Sequence, residues 1–355
     1  MNPALAAISN DWHIESKNTE QIIGLIKQKI KLAKKLETTT LICLGDVFQS
    51  RQAQPLNVLK CFEKILDLID EAGMVLYCIA GNHDKTDYSS EDSFLDQFQW
   101  HPSLKLFNVI SGDIVLGGGI HLQFIPFFEE SKYIDILDSL IKDNAIHSSN
   151  PRRILCSHQA LSGSVNNDGS KIENNIKPSL FENFFKVFLG HYHNQSQIGR
   201  NIFHLPSLQA NNFGEDNEKG FTVLYADGSH ELVNSIFPEY HTIKIDLDKV
   251  NKEELNQLKK DGSQLIKESD ANIRFKIEGS SDKVGAIKSE EFTALGIDVK
   301  KEHKTIIKSI EKAKIGEVII YDNTTILDKF DKFCETEEYD NIEYGKSCLT
   351  KKLKE

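Results

Sequence analysis

The sequence predicts an α/β fold: two mixed β-sheets packed on each other and flanked by helices, followed by a small α+β module. Three observations carry this. Short apolar runs alternate with amphipathic helices over the first eighty residues. From about residue 100 to 235 strand-like runs far outnumber helices, so a second sheet is needed to bury them. Around Pro238 the pattern becomes one of strict alternation about a polar helix.

Ala4 to Ser9 reads as the first strand. A helix over about Thr19 to Leu36 carries Ile22, Ile26, Ile30 and Ala33 on one face, with Asn18 and Gln21 placed for a capping box. Thr39 to Leu44 is a continuous apolar run, as suits a strand covered on both faces. The next helix has Pro55 near its first turn, a stripe of Phe62, Leu66 and Ile69, and Gly73 as its stop. Met74 to Ala80 completes a βαβαβ start and hence a parallel sheet segment. Beyond it, 104–110, 114–116, 122–125, 154–157, 187–189, 202–205 and 221–225 read as strands, and only 132–143 and 178–185 as helices. Ile243, Ile245 and Leu247 alternate with polar residues, a polar helix follows over 251–268, and Ile273, Phe275 and Ile277 alternate again. The boundaries expected are 1–236 for the large domain, 237–322 for the small one and 323–355 for a terminal segment with the stripe Ile326, Leu327, Phe330 and Phe333.

Of the 355 residues 39% are apolar and 27% charged, a globular composition that excludes a disordered or collagen-like chain. No apolar run reaches the roughly 18–20 residues that span a bilayer. Met1 to Ile8 contains no Lys or Arg, so no signal peptide is expected. The 6 cysteines occur singly, which points to reduced thiols and a cytoplasmic location. With 42 basic and 53 acidic side chains the formal charge is −11. A polyanionic substrate must therefore be met by local positive charge, bound cations or a partner subunit.

Five short segments follow strand-like runs: Asp11-Trp12-His13, Gly45-Asp46, Gly81-Asn82-His83-Asp84, Ser157-His158 and Gly190-His191-Tyr192-His193. Ligand crevices of open α/β sheets lie beyond the carboxyl ends of the strands, so all five should converge. Together they offer Asp11 and Asp46 carboxylates, the Asn82 amide oxygen, and the imidazoles of His13, His158, His191 and His193. Mixed nitrogen and oxygen donors without thiolate suit Mn²⁺, Fe²⁺ or Zn²⁺ rather than Ca²⁺. Seven donors exceed one ion's needs and suit two ions about 3.5–4 Å apart if one carboxylate bridges them. Each segment alone has an ordinary reading, as a surface Asp-x-His, a core histidine or an Asn/Asp turn. Their joint occurrence, each at a strand end, favours the metal site.

This set resembles the calcineurin-like metallophosphoesterase superfamily, whose blocks run D-x-H, GD, GNH[DE], H and G-H-x-H. Within it the chain is similar to the SbcD-type nuclease subunit of double-strand-break repair. Ser9 to Ile14, Gly45-Asp46-Val47-Phe48 with Arg51, and Leu205-Pro206-Ser207 through Phe213 to Glu218-Lys219-Gly220-Phe221 carry that likeness. Asn10, Glu15 and Pro206-Ser207 depart from the subfamily pattern, and Gln49 stands where some members carry a histidine implicated in the nuclease step.

The resemblance implies that Asp11, His13, Asp46 and His193 hold one ion and that Asp46, Asn82, His158 and His191 hold another, most simply Mn²⁺. His83 would protonate the leaving sugar oxygen, with Asp84 orienting it, and Arg51, Arg152, Arg153 and Arg200 are candidates for DNA phosphates. It further implies a dimetal-dependent DNA exonuclease and endonuclease, homodimeric through the nuclease domain, working with an SbcC-type coiled-coil ATPase docked on the C-terminal stripe. A stand-alone metallophosphatase or cyclic-nucleotide phosphodiesterase has the same centre and remains the alternative.

Overall fold

The computed structural model describes residues 2–146, 152–166 and 170–303. In chain order the elements are β1 (Ala4–Ser9), α1 (Thr19–Lys35), β2 (Thr40–Cys43), α2 (Leu56–Glu71), β3 (Val75–Ile79), β4 (Leu104–Phe107), β5 (Ile114–Val115), β6 (Ile120–Ile125) and α3 (Glu130–Ile146). They continue with β7 (Arg152–His158), β8 (Lys186–Gly190), β9 (Ser196–Ile198), β10 (Ile202–His204), β11 (Gly220–Tyr225) and β12 (His230–Asn234). The remainder is β13 (Tyr240–Asp246), α4 (Lys252–Ser269), β14 (Asn272–Gly279), α5 (Ser281–Gly285), α6 (Glu290–Thr293) and β15 (Asp298–His303).

Two six-stranded sheets form the body, ordered β12-β11-β1-β2-β3-β4 and β5-β6-β7-β8-β10-β9. Strands β1 to β4 run parallel, as do β6, β7, β8 and β10, while β11, β12, β5 and β9 are antiparallel to their neighbours. The inner faces meet through Ala6, Ile8, Ile42, Leu44 and Ile79 on one side and Leu122, Phe124, Ile154, Cys156 and Phe188 on the other. The ring of Phe124 stacks on Phe107 across this seam at 4.9 Å between centroids. The outer face of the first sheet is covered by the apolar stripes of α1 and α2, and that of the second by α3 and the turn around Phe181. Helix α1 places Glu20 in its first turn and Lys34 and Lys35 in its last, matching its dipole.

Strands β13, β14 and β15 form a separate three-stranded parallel sheet with its own core of Ile245, Ile273, Phe275, Ile277, Phe292 and Ile297. It is anchored by Asn217, whose carboxamide accepts from the Tyr240 N–H and donates to the Tyr240 carbonyl, both at 3.0 Å. No helix among the described residues is long and apolar enough to cross a membrane. Cys43, Cys61, Cys78 and Cys156 are buried free thiols.

The structure departs from the sequence reading at several places. The helix expected over 178–185 is a single 3₁₀ turn, Pro178–Phe181. Strands β9 and β12 had no apolar signature because both are edge strands with much of their surface in water. Asn18 does not cap α1: its Oδ1 accepts from the Glu15 N–H at 2.9 Å and its Nδ2 donates to the His13 carbonyl at 2.9 Å. It braces the loop that carries His13. The stripe Ile326, Leu327, Phe330 and Phe333, and the whole of 323–355, lie outside the described residues.

Candidate metal centre

All seven expected ligands converge at the carboxyl ends of the parallel strands. Asp11 and His13 follow β1, Asp46 follows β2 and Asn82 follows β3; His158 ends β7, while His191 and His193 follow β8. The first sheet thus supplies four donors and the second three. Backbone bonds sew the first two loops together, with the Asp11 N–H on the Gly45 carbonyl at 3.0 Å and the His13 N–H on the Asp46 carbonyl at 3.1 Å.

The loops are tightly wound. Asp11, His13, Asp46 and His191 have φ of 52°, 47°, 52° and 83°, the left-handed region that costs an L-residue roughly 1–2 kcal/mol. Four strained ligands in one cluster mark a functional site. Glycine precedes the ligands where backbone must pass close by. A Cβ at Gly45 would stand 2.8 Å from His158 Nδ1 and 2.6 Å from the Gly81 nitrogen, and one at Gly190 2.7 Å from the Leu44 carbonyl.

The donor atoms form two sets. In the first, His13 Nε2 lies 3.0 Å from His193 Nε2, 3.7 Å from Asp46 Oδ2 and 3.9 Å from Asp11 Oδ1. His193 Nε2 is 3.7 Å from the same Asp11 oxygen. In the second, Asn82 Oδ1 lies 2.9 Å from His191 Nδ1 and 3.1 Å from His158 Nε2, which is 3.3 Å from Asp46 Oδ1. Ligands at about 2.1 Å from one ion stand roughly 3.0–3.4 Å apart when adjacent, so each set is close to the spacing of a coordination shell. Asp46 offers Oδ2 to one set and Oδ1 to the other, which is the bridging position.

An orphaned atom tests the fit. Asp11 Oδ2 accepts from the Asn10 carboxamide and the His191 N–H, whereas Asp11 Oδ1 is buried with no hydrogen-bond partner among the described residues. A buried carboxylate oxygen facing two imidazole nitrogens is satisfied by a cation. The residues present fit two divalent ions.

Outer partners set the tautomers. His158 Nδ1 donates to the Leu44 carbonyl at 2.7 Å, which leaves Nε2 for the centre. His193 Nδ1 donates to Glu215 Oε1 at 2.8 Å. Glu215 has a fully buried side chain, also held by Asn212 Nδ2 at 2.7 Å and with Lys219 Nζ at 3.8 Å from its other oxygen. Buried Lys219 in turn donates to the His193 carbonyl at 2.8 Å. Neither Glu215 nor Asn10 was foreseen as part of the centre. Glu215 lies between Phe213 and Glu218 in a segment noted only for its family likeness, so the signal was present but unassigned.

Burial pushes the His13 and His191 imidazoles down to about 3, so both are neutral and ready to ligate. Burial would also lower His158, but Asp46 and then Asp11 outweigh it and hold it up to about 9. Burial alone would raise Asp46, yet His158, His13 and His83 keep its carboxyl well below the usual carboxylate range.

His83 lines a cleft of about 400 Å³ together with Lys17, Gln49 and Arg51. Its Nδ1 donates to the Gln49 carbonyl at 2.6 Å, its Nε2 accepts from Arg51 at 2.8 Å, and its N–H holds Asp46 Oδ1 at 2.8 Å. Asp84 does not orient His83, contrary to expectation. Its carboxylate faces the other way and accepts from the N–H groups of Phe48 at 2.9 Å, Gly81 at 2.9 Å and Val47 at 3.2 Å, tying two ligand loops together. Burial, then Asp46, pushes the Asp84 carboxyl up to about 7.

Three of the four candidate arginines lie away from the centre. Arg152 opens β7, six residues before His158 and therefore roughly 20 Å away along the strand, and donates to the carbonyls of Gly118, Ala226 and Asp227. Arg153 pairs with Asp113 at 3.2 Å. Arg200 sits in the turn between β9 and β10, at the end of the second sheet opposite the centre, because β10 runs parallel to β8. Of the arginines considered, Arg51 alone reaches the cleft.

A two-sheet sandwich with an aspartate bridging two His/Asp/Asn donor sets at its strand ends defines a dinuclear metallohydrolase. Residues 6–195 match the family profile described as calcineurin-like phosphoesterase, and the chain belongs to that family of metal-dependent phosphoester hydrolases. It is similar to exonuclease subunit 1 of Enterobacteria phage T4, 26% identical over 219 residues that cover 59% of this chain and 61% of the phage protein. The match thus spans less than two thirds of that relative. It is also similar to putative phosphoesterase 244L of Invertebrate iridescent virus 6, 24% identical over 297 residues covering 79% of this chain and 96% of the viral one. Among solved structures it resembles a dimetal phosphatase from Danio rerio, at 10% identity and TM-score 0.45 over 63% of this chain and 93% of that one. Calcineurin-like phosphoesterase YfkN from Bacillus subtilis follows at 13% identity and TM-score 0.38, over 66% and 90%.

Proposed function

We propose that this chain is a dimetal-dependent DNA phosphodiesterase of SbcD type, an exonuclease on duplex ends and an endonuclease on single strands. The observation that carries the reading is the pairing of His83 with Arg51 in the lining of the cleft that also holds donors of both sets. The name of the phage T4 relative, an exonuclease subunit, supports it.

Two bound divalent cations, Mn²⁺ by the chemistry of the donors, would supply an activated water and neutralise charge growing on the phosphoryl oxygens. The chain does the rest. Asp46 fixes the two donor sets against each other, and the Gln49 carbonyl fixes the His83 ring with Nδ1 protonated. His83 Nε2, once free, takes up a proton from solvent and passes it to the leaving sugar oxygen, which returns the ring to its neutral form. Arg51 occupies that nitrogen in the free protein; an entering phosphodiester gives the guanidinium an anionic partner and releases Nε2. We propose further that the protein is cytoplasmic, dimerises through the nuclease domain, and works with an SbcC-type ATPase docked on 323–355.

The test is cleavage of blunt duplex and single-stranded DNA with Mn²⁺ or Mg²⁺, with and without that ATPase, by the native chain and by His83→Ala. Native protein should cut both substrates and lose activity with chelator, while His83→Ala keeps its metal and loses cleavage. Hydrolysis of p-nitrophenyl phosphate or a cyclic nucleotide with no cutting of DNA would instead establish the small-substrate reading.

A further inference from the structure

A second cleft of about 320 Å³ adjoins the first and shares Glu15, Lys17 and Asn211 with it. Its chemistry is different. The lining is carboxamide-rich, with Gln21, Gln209, Asn211 and Asn272, and Tyr240 is the aromatic side chain among the lining residues. The Lys17 ammonium is spent on Glu15 at 2.9 Å, and Asp270 adds a negative charge, so the cleft has no surplus cation to hold a phosphate. It suits a neutral, flat group with donors and acceptors on its edge.

The Tyr240 ring is held ready. Its backbone is clamped on both sides by Asn217, and its ring meets Phe213 edge-on at 4.9 Å and 86°. The Arg274 guanidinium lies 4.1 Å over the Phe213 ring and so backs that arrangement. Gln21 Nε2 donates to Gln209 Oε1 at 2.6 Å. This leaves Gln21 Oε1 and Gln209 Nε2, an acceptor and a donor, with no protein partner among the described residues.

We propose that this cleft is a nucleobase subsite, which takes the base of the nucleotide next to the scissile phosphate by stacking on Tyr240 and pairing its edge with the carboxamides. An acceptor and a donor on two joined carboxamides can match a base edge, and aromatic stacking is the usual platform for an unpaired base. The proposal rests on the nucleic-acid reading above and deepens it: the centre takes the phosphate, and its neighbour takes the base of a single-stranded or frayed nucleotide.

The experiment compares a fluorescent single-stranded trinucleotide with the same strand made abasic at one position. Binding to the full chain is followed by anisotropy, and cleavage is followed with Mn²⁺. The intact strand should bind about tenfold tighter than the abasic one. Tyr240→Ala and Gln21→Ala should bring the ratio towards one, and Tyr240→Phe should keep most of it. Gln21 is a partly exposed helix residue, so its variant carries the test if melting curves show that Tyr240→Ala has lost the fold. Equal binding of the two strands by the native protein overturns the subsite. So does a Tyr240-dependent grip on a phosphoserine peptide with no base dependence on DNA. Base-dependent binding without cleavage would leave the subsite standing and remove the nuclease reading instead.

Discussion

Glu215 decides which nitrogen of His193 faces the centre, because a buried carboxylate on Nδ1 keeps that proton in place. Glu215→Gln keeps the size but can present its amide nitrogen to Nδ1, so the tautomer is no longer dictated. Metal affinity of the set with Asp11, His13 and His193 should fall about 10–100-fold. Titration calorimetry with Mn²⁺ would show this as one weakened site beside one unchanged; two unchanged sites would make Glu215 merely structural. His158 gives a second expectation. At neutral pH the metal-free protein holds a proton on it, since its value is about 9, and an ion must expel that proton to bind Nε2. Affinity should therefore rise with pH by about tenfold per unit between pH 7 and 9 and level off above. Calorimetry in buffers of different ionisation heat counts the proton released. The seven donors that converge were all legible in the sequence, because each lies in a short segment that follows an apolar run. Their supports were not: Asn18 looked like a helix cap and Asp84 like a partner for His83, and only the left-handed turns show that their side chains face backbone amides and carbonyls.

At the scale of one element, α1 carries an anomaly on its buried face. Lys29 is fully buried, donating to Ser9 Oγ at 2.8 Å and the Ile42 carbonyl at 2.7 Å, and Ser9 Oγ also accepts from the Trp12 indole at 2.9 Å. Burial pulls the Lys29 ammonium down to about 7. The folded value lies below the unfolded one near 10.5, so between pH 7 and about 10 the unfolded chain binds more protons. Stability should rise with pH across that window, at up to about 1.4 kcal/mol per pH unit from this one group. Lys29→Met should flatten the rise relative to the native chain, as read by urea unfolding at pH 7, 8 and 9; parallel slopes for the two proteins would show that Lys29 is solvated. The elements themselves were largely legible. Continuous apolar runs marked the buried parallel strands and the 3.6-residue stripe marked α1 and α2, whereas β9 and β12, at sheet edges and half in water, lacked any pattern to read.

For the whole molecule the salient quantity is a formal charge of −11. On the nucleic-acid reading proposed above, a DNA strand approaching this surface meets repulsion except where Arg51 and the bound cations face the cleft, so strand binding should weaken steeply with chelator. An anisotropy titration with and without EDTA checks this, and equal affinities would place the DNA elsewhere. The two-sheet architecture followed from counting strands, but which loops would meet across the seam did not, since that depends on how one sheet lies over the other.

The donors come from both layers: Asp11, His13, Asp46 and Asn82 from one, His158, His191 and His193 from the other. Two ions seated there would act as a rivet through the sandwich. The apolar seam between the sheets is non-directional and tolerates small sliding, but ligand bonds do not, so the loaded protein should resist shear between its layers. Amide hydrogen exchange in β2 and β8, the strands that carry the bridging aspartate and the last two histidines, would report it. Protection there should drop on chelation far more than in β13 and β14, which carry no ligand.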